Sequence, residues 1–132
     1  MEHTGGQGDP VSVLAPLEAH ARVAAGAVLV DVRAHEEFID GHPAGATNVP
    51  LAHFVEGRLV DDVAFVEAVR TRFSADSRLV LLCRSGVRAA RAAALLMAAD
   101  YTDVHVVAGG YEGTRGPFGE VVERGWRRHG LP

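Results

Sequence analysis

One stretch decides the fold of this chain: Leu79-Val80-Leu81-Leu82-Cys83-Arg84-Ser85-Gly86-Val87-Arg88. The four apolar residues at its start predict a short buried strand, and the alanine-rich residues 89–99 that follow predict a helix. Cys83 would then lie on the loop between the carboxyl end of a strand and the amino end of a helix. Because α/β folds hold their active sites at such loops, the stretch indicates an α/β fold with Cys83 as the candidate catalytic residue.

Cys83 is the only cysteine in the chain, and its neighbours favour the reactive thiolate form. The favourable features are the backbone N–H groups of residues 85–87, the positive end of the following helix, and the guanidinium groups of Arg84 and Arg88. Gly86 allows the backbone to curl around the sulfur with its N–H groups pointing inward. A lone cysteine is also often a small core residue, but these neighbours indicate an anion-binding loop. Its ligand would be a sulfur or phosphorus oxyanion, or a persulfide on Cys83.

The spacing within the loop distinguishes between these ligands. Four residues separate Cys83 from Arg88, one fewer than in cysteine phosphatases, and the six-residue loop closely resembles the active loop of the rhodanese family of sulfurtransferases. The resemblance extends from about Leu14 to Gly125. It includes an upstream signature at residues 31–33, 36–38, 41–42 and 45–50 and a double-glycine signature at residues 106–111. One departure is Pro43, which stands one place earlier than the family's usual proline and predicts an altered turn at His42.

The resemblance implies a rhodanese-like α/β fold, in which helices cover both faces of a central, mostly parallel sheet of about five strands. It also implies a sulfurtransferase that moves sulfane sulfur from thiosulfate or a similar donor, through a Cys83 persulfide, to cyanide or a thiol. Asp31 and Arg33 would support the loop as an ion pair at the end of a strand. No cofactor or metal is implied. The loop residues expected to bind substrate are Arg84, Ser85, Gly86, Val87 and Arg88, with Arg84 attracting an anionic donor at the rim and Arg88 holding the loop.

Two interpretations from other classes remain open. A cysteine phosphatase or arsenate reductase would also hold its cysteine in a loop of backbone amides, but the short loop argues against it. A non-enzymatic rhodanese-like module for protein binding or redox sensing is the second. Seven scattered histidines show no metal-ligand spacing, and His42 is expected to make a hydrogen bond that stabilises its turn.

The hydrophobic periodicity predicts helices over residues 16–25, 63–73 and 87–99 and strands over residues 27–32, 78–82 and 104–107. The helix after Cys83 is apolar almost all round, so we expect little of it to be exposed. Residues 118–128 are predicted to form a terminal amphipathic helix with Trp126 packed inward. The glycine-rich residues 112–119 would either line the mouth of the site or form a solvated connection, and the connection is favoured.

Length and composition bound the remaining possibilities. With 132 residues, of which 48% are hydrophobic, the chain is expected to form one domain over residues 11–132 behind a flexible tail at residues 1–10. The net charge of −4, with its basic residues dispersed, argues against a nucleic-acid partner. Neither a signal peptide nor a membrane-spanning segment is evident, so we expect a cytoplasmic protein. The expected partners are a small anionic sulfur donor and a thiol or cyanide acceptor, with a protein acceptor left undefined.

Overall fold

The computed structural model describes residues 11–132, so the tail predicted at residues 1–10 lies outside the described residues. Strands and helices alternate up to residue 107, except where an antiparallel hairpin at residues 52–61 interrupts them, and a second hairpin follows at residues 113–124. In chain order they are β1 (Ser12–Leu14), α1 (Pro16–Ala24), β2 (Val28–Asp31), α2 (His35–Asp40), β3 (Thr47–Asn48), β4 (Ala52–Val55), β5 (Arg58–Asp61), α3 (Phe65–Arg70), β6 (Arg78–Leu82), α4 (Val87–Ala98), β7 (Asp103–Val107), β8 (Gly113–Arg115), β9 (Val121–Arg124) and a 3-10 helix (Trp126–Arg128).

The central sheet has five strands in the order β1-β7-β6-β2-β3, and each neighbouring pair is parallel. This arrangement confirms the predicted parallel sheet. β6 lies in the middle, and the side chains of residues 79–82 are fully buried. Asp31 at the end of β2 is in register with Leu82 at the end of β6. Cys83 and Asp31 therefore lie at the same edge of the sheet.

Helices cover both faces of this sheet, as predicted. Leu79 and Leu81 point to the face that packs against α3 and α4, in a core that contains Phe65 and Leu96. The alternate residues of β6 point to the opposite face, in a second core. That core includes Ala19 of α1 and also Trp126, which is 2% exposed, so the prediction that Trp126 packs inward is confirmed. The alternation follows from the twofold periodicity of a strand that is buried on both sides.

The prediction of a terminal helix over residues 118–128 is wrong. Residues 121–124 form β9, which pairs antiparallel with β8, and only the 3-10 helix follows. Two β-branched residues, Val121 and Val122, favour a strand here. Gly125 then adopts an extended conformation and packs so closely against the backbone of residues 111–113 that a side chain would clash there. A continuous helix would not permit this contact.

Two other helices differ from their predictions. α3 covers only Phe65–Arg70 of the predicted residues 63–73, and the Asp62 carboxylate accepts a hydrogen bond from the Ala64 N–H just before it. α4 has a more exposed outer face than its apolar composition predicts, because Val87 is 70% and Leu95 is 46% exposed. Only the side that carries Ala89, Ala92, Ala93 and Leu96 is fully buried, since only that side of the helix packs into the core.

No helix among residues 11–132 has both the length and the apolar character needed to cross a membrane.

Candidate active site

Cys83 follows β6 directly, and its thiol lies at the bottom of the loop that leads into α4. The Gly86 N–H donates a hydrogen bond to the Sγ atom at 3.0 Å. Gly86 has φ +114°, a conformation that other residues rarely adopt, and it immediately precedes the first residue of α4. Backbone N–H groups in the first turn of a helix lack intrahelical partners and carry partial positive charge. The Gly86 N–H and the amino end of α4 therefore place partial positive charge beside the sulfur.

The thiol is deeply placed. Cys83 is only 1% exposed and belongs to the core cluster on the α4 face of the sheet. The sequence placed Cys83 correctly in the loop. The alternative of a small core residue also describes it, because the same side chain packs into the core. Because so little of it is exposed, only a small or slender group reaches Sγ. The bulk of any larger ligand must remain outside the loop.

The double-glycine segment fixes the backbone of the loop. The Tyr111 N–H donates to the Cys83 carbonyl at 2.7 Å, and the Glu112 N–H donates to the Arg84 carbonyl at 2.8 Å. Gly110 has φ +61°, and a Cβ atom there would clash with the Cys83 carbonyl oxygen and lie 2.6 and 2.7 Å from the carbonyl carbon and oxygen of Arg84. Glycine is therefore required at this close approach. The sequence marked the motif, but not this contact.

Asp31 and Arg33 form the expected ion pair at the end of β2. Their side chains are 0% and 4% exposed, and the Arg33 Nη2 atom lies 2.8 Å from Asp31 Oδ2. Arg33 also donates to the Gly41 carbonyl at 2.6 Å and lies 4.5 Å from the ring centroid of Tyr111. Since Tyr111 is hydrogen-bonded to Cys83 through its backbone, the ion pair is connected to the loop through Tyr111. The predicted supporting role of both residues remains a prediction that this geometry favours.

Arg88 is held by a residue that the sequence analysis did not single out. Its guanidinium donates to the two carboxylate oxygens of Glu37 at 2.7 and 2.9 Å. Partial burial alone would raise the pKa of Glu37, but the hydrogen bonds from Arg88 and from the Ala34 N–H, with the nearby positive charges, lower it. The hydrogen bonds that Arg88 donates to Glu37 raise the pKa of Arg88, and its electrostatic interactions with Cys83 and Asp31 act in the same direction. Arg88 thus connects α4 to α2, as its predicted role of holding the loop requires.

Glu37 also accepts a hydrogen bond from the Ala34 N–H at 3.0 Å, at the start of α2. This is half of a capping box, because the alanine at the N-cap has no side-chain acceptor to complete it. The only sequence signal for Glu37 was its place in the upstream signature. Its neighbour Glu36 is also acidic but exposed, and the sequence did not distinguish between the two.

An open cleft of about 430 Å³ adjoins the active loop. Arg84 and Ser85 contribute to its lining, and their predicted substrate-binding role stays a prediction. Val87 is also in the predicted set, but its side chain is exposed to solvent and does not line this cleft. The other lining residues are Glu112, Gly113, Thr114, Arg115 and Arg128. Residues 112–115 of the glycine-rich segment therefore line the cleft and residues 116–119 do not, so only the first half of the segment departs from the favoured interpretation of a solvated connection.

Several histidines of residues 11–132 make local structural contacts. His42 Nδ1 lies 2.7 Å from the Phe38 carbonyl oxygen, and its ring stacks on Phe38 with the centroids 3.6 Å apart. The expected turn hydrogen bond is therefore present, next to the displaced Pro43. His53 pairs with Asp62 and His105 with Asp103. Within residues 11–132, no group of three or more His, Cys, Asp or Glu residues has a metal-binding arrangement.

A five-stranded parallel sheet with a six-residue loop that begins at Cys83 defines a rhodanese-like domain. The chain belongs to the rhodanese family, whose model, described as the rhodanese-like domain, matches residues 15–116. Among solved structures, the chain is similar to Rv0390 from M. tuberculosis, with a TM-score of 0.78, 30% sequence identity, and 94% of this chain and 97% of that chain covered.

Curated relatives carry the same family identity. Thiosulfate sulfurtransferase 16, chloroplastic, from Arabidopsis thaliana is 32% identical over 114 residues, which cover 86% of this chain and 85% of the relative. Thiosulfate sulfurtransferase GlpE from Stutzerimonas stutzeri is 32% identical over 108 residues, covering 82% and 88%. These relatives assign the chain to the rhodanese-like sulfurtransferases.

Proposed function

We propose that this protein transfers sulfane sulfur by carrying it as a persulfide on Cys83. The observation that carries the proposal is the Sγ atom 3.0 Å from the Gly86 N–H at the amino end of α4. That environment stabilises a thiolate and equally the terminal sulfur of a persulfide, which is also anionic. Two relatives named as thiosulfate sulfurtransferases support thiosulfate as the donor.

The reaction would proceed by double displacement. In the first step, the Cys83 thiolate attacks the outer sulfur of thiosulfate, a new sulfur–sulfur bond forms on Cys83, and the bond within thiosulfate breaks as sulfite leaves with the electron pair. In the second step, cyanide or a thiolate attacks the outer sulfur of the persulfide, and the Cys83 thiolate is released. The products are thiocyanate or a new persulfide, and no external oxidant is consumed. A covalent intermediate between two half-reactions predicts ping-pong kinetics.

The loop residues have separate roles in this scheme. The exposed Arg84 attracts the anionic donor at the cleft, whereas Arg88 is engaged by Glu37 and keeps α4 in place. Residues 85–87 contribute backbone N–H groups. The short loop argues against phosphatase chemistry. Redox sensing is disfavoured because oxidation of a cysteine depends on its exposure, and Cys83 is 1% exposed.

The test is the intact mass of the protein after brief exposure to thiosulfate, in parallel with Cys83→Ser. We expect the wild type alone to gain one sulfur atom and then to lose it to cyanide with release of thiocyanate. A folded, reduced wild type that gains no sulfur from thiosulfate or from mercaptopyruvate would refute the carrier role and favour a binding module. Sulfur gained equally by Cys83→Ser would refute the assignment of Cys83.

A kinetic test addresses Arg84. We expect Arg84→Ala to raise the KM for thiosulfate, because the variant removes an exposed positive charge from the entrance. Arg72→Ala is the matched control. Arg72 is exposed and precedes β6, so it lies toward the amino ends of the strands, opposite Cys83. An unchanged KM in Arg84→Ala, or an equal increase in both variants, would contradict the role given to Arg84.

A further inference from the structure

The cleft beside the active loop is larger than thiosulfate requires. Its volume of about 430 Å³ lies in the range of pockets for small organic ligands, roughly 300–1,000 Å³. It is contiguous with the loop through Arg84 and Ser85. Since the buried Sγ admits only a slender group, the rest of a larger substrate would occupy this cleft while its sulfur reaches Cys83.

Three arginines from three different elements line the cleft. Arg84 belongs to the active loop, Arg115 to β8 and Arg128 to the 3-10 helix. All three are exposed, and among residues 11–132 none of them lies within salt-bridge distance of a carboxylate. The Arg115 side chain donates to the Gly119 carbonyl oxygen at 2.8 Å.

The single carboxylate in the cleft lining is already neutralised. Glu112 accepts hydrogen bonds from Arg127 at 3.1 and 3.2 Å, and Arg127 is not one of the residues that line the cleft. The three cleft arginines therefore leave an excess of positive charge facing the space. Positive clefts concentrate anionic ligands and speed their association.

We propose that this cleft binds the carboxylates of an acidic organic thiol, which is the sulfur acceptor of the Cys83 persulfide. Arg115 and Arg128 line the cleft from outside the active loop, so a ligand that pairs with them has anionic groups separated from its reacting sulfur. Thiosulfate has no such second group. Guanidinium groups match carboxylates through paired hydrogen bonds. Arg115 lies within the residues 15–116 that match the family, whereas Arg128 lies beyond them.

The proposed step rests on the persulfide of the proposed function. The acceptor thiolate attacks the outer sulfur of the Cys83 persulfide and forms a sulfur–sulfur bond. The bond between the two persulfide sulfurs breaks, and the electron pair returns to Cys83 as a thiolate. The organic product is a persulfide that carries the same carboxylates. Charge and electrons balance without a further reactant.

The first experiment measures the discharge of the persulfide by mercaptosuccinate, which is acidic, and by 2-mercaptoethanol, which is neutral. Rates are compared per thiolate in the wild type, Arg128→Gln and the control Arg72→Gln. We expect the preference for mercaptosuccinate to fall about fivefold in Arg128→Gln, equal to about 1 kcal/mol at 1.4 kcal/mol per tenfold. Arg72→Gln should keep the wild-type preference. Equal preferences in the wild type and Arg128→Gln would overturn the inference while leaving the proposed function intact.

A second experiment measures binding without sulfur transfer. Methylthiosuccinate has the same carboxylates but no thiol, and NMR titration would locate its binding site in the wild type and Arg128→Gln. We expect shifts at Arg84, Arg115 and Arg128 and an affinity about fivefold lower in the variant, a difference that decreases at high salt. This result would support the cleft assignment even if no persulfide forms and the proposed function fails. Absence of binding, or binding unaffected by the variant, would overturn it.

Discussion

The pair formed by Glu37 and Arg88 gives the sharpest prediction about stability. In Glu37→Gln the side chain keeps its shape but loses its charge and one of its acceptor oxygens. The side chains of Arg88 and Glu37 are 11% and 20% exposed, so the pair lies between the buried and the surface cases. Breaking a buried pair costs roughly 3–5 kcal/mol, whereas an exposed pair contributes about 0–1 kcal/mol. We expect Glu37→Gln to lower the free energy of unfolding by about 2 kcal/mol at pH 7.

The same pair predicts how that loss depends on pH. The pKa of Glu37 is lowered from its ordinary value of 4.5, because Arg88 and the Ala34 N–H outweigh the opposing effect of burial. A group with a lowered pKa in the folded state stabilises the fold above its unfolded pKa, and that stability is lost as the pH falls through the folded value. The difference in the free energy of unfolding between wild type and Glu37→Gln should therefore be largest near neutral pH and decrease progressively below about pH 4.5.

Urea denaturation at pH 7 and at steps below pH 4.5 measures both effects. Glu36→Gln is the matched control, since it removes the same charge from the first turn of α2 at an exposed position. The free energy of unfolding of Glu36→Gln should differ from that of the wild type by no more than about 0.5 kcal/mol. The assignment of a stabilising ion pair would be refuted if Glu37→Gln lowered the free energy of unfolding as little as the control does. It would also be refuted if the decrease stayed constant down to low pH.

Two further substitutions test the parts that hold the loop. Gly110→Ala should destabilise the fold by at least about 3 kcal/mol in thermal or urea unfolding, because its Cβ would meet the Arg84 carbonyl group. The control is Gly57→Ala, which has a similar φ of +78° but open space around the new Cβ, and it should cost about 1–2 kcal/mol. Equal losses of stability in the two variants would contradict the close approach at Gly110. Asp31→Asn should cost about 3–5 kcal/mol because it leaves the buried Arg33 charge uncompensated, and a loss below about 1 kcal/mol would contradict that account.

The sequence predicted the elements whose signals are local. The apolar run of β6 and the alanine-rich α4 are adjacent in the chain, so they define the loop at Cys83 without reference to the rest of the fold. The parallel sheet followed from the alternation of strands and helices. The rhodanese resemblance, which depends on short motifs, agreed with the family match over residues 15–116.

The failures concern residues whose conformation depends on distant partners. Residues 118–128 have an apolar spacing that suits a helix, but the backbone contact between Gly125 and Gly113 and the pairing of β9 with β8 produce a hairpin. Phe118, assigned to that helix, is 93% exposed in the hairpin turn. Glu37 was likewise unrecognised, because only the folded chain brings it to Arg88, 51 residues away in sequence.

The arginines at this site divide into two groups with different consequences. Arg33 and Arg88 are largely buried and paired with Asp31 and Glu37, as their predicted role of supporting the Cys83 loop requires. The cleft arginines are exposed, and in the described chain they have no carboxylate partner. Substitutions in the first group should therefore reduce stability and reactivity together. Substitutions in the second should change the choice of substrate with little effect on unfolding, because exposed side chains without partners contribute little to the fold.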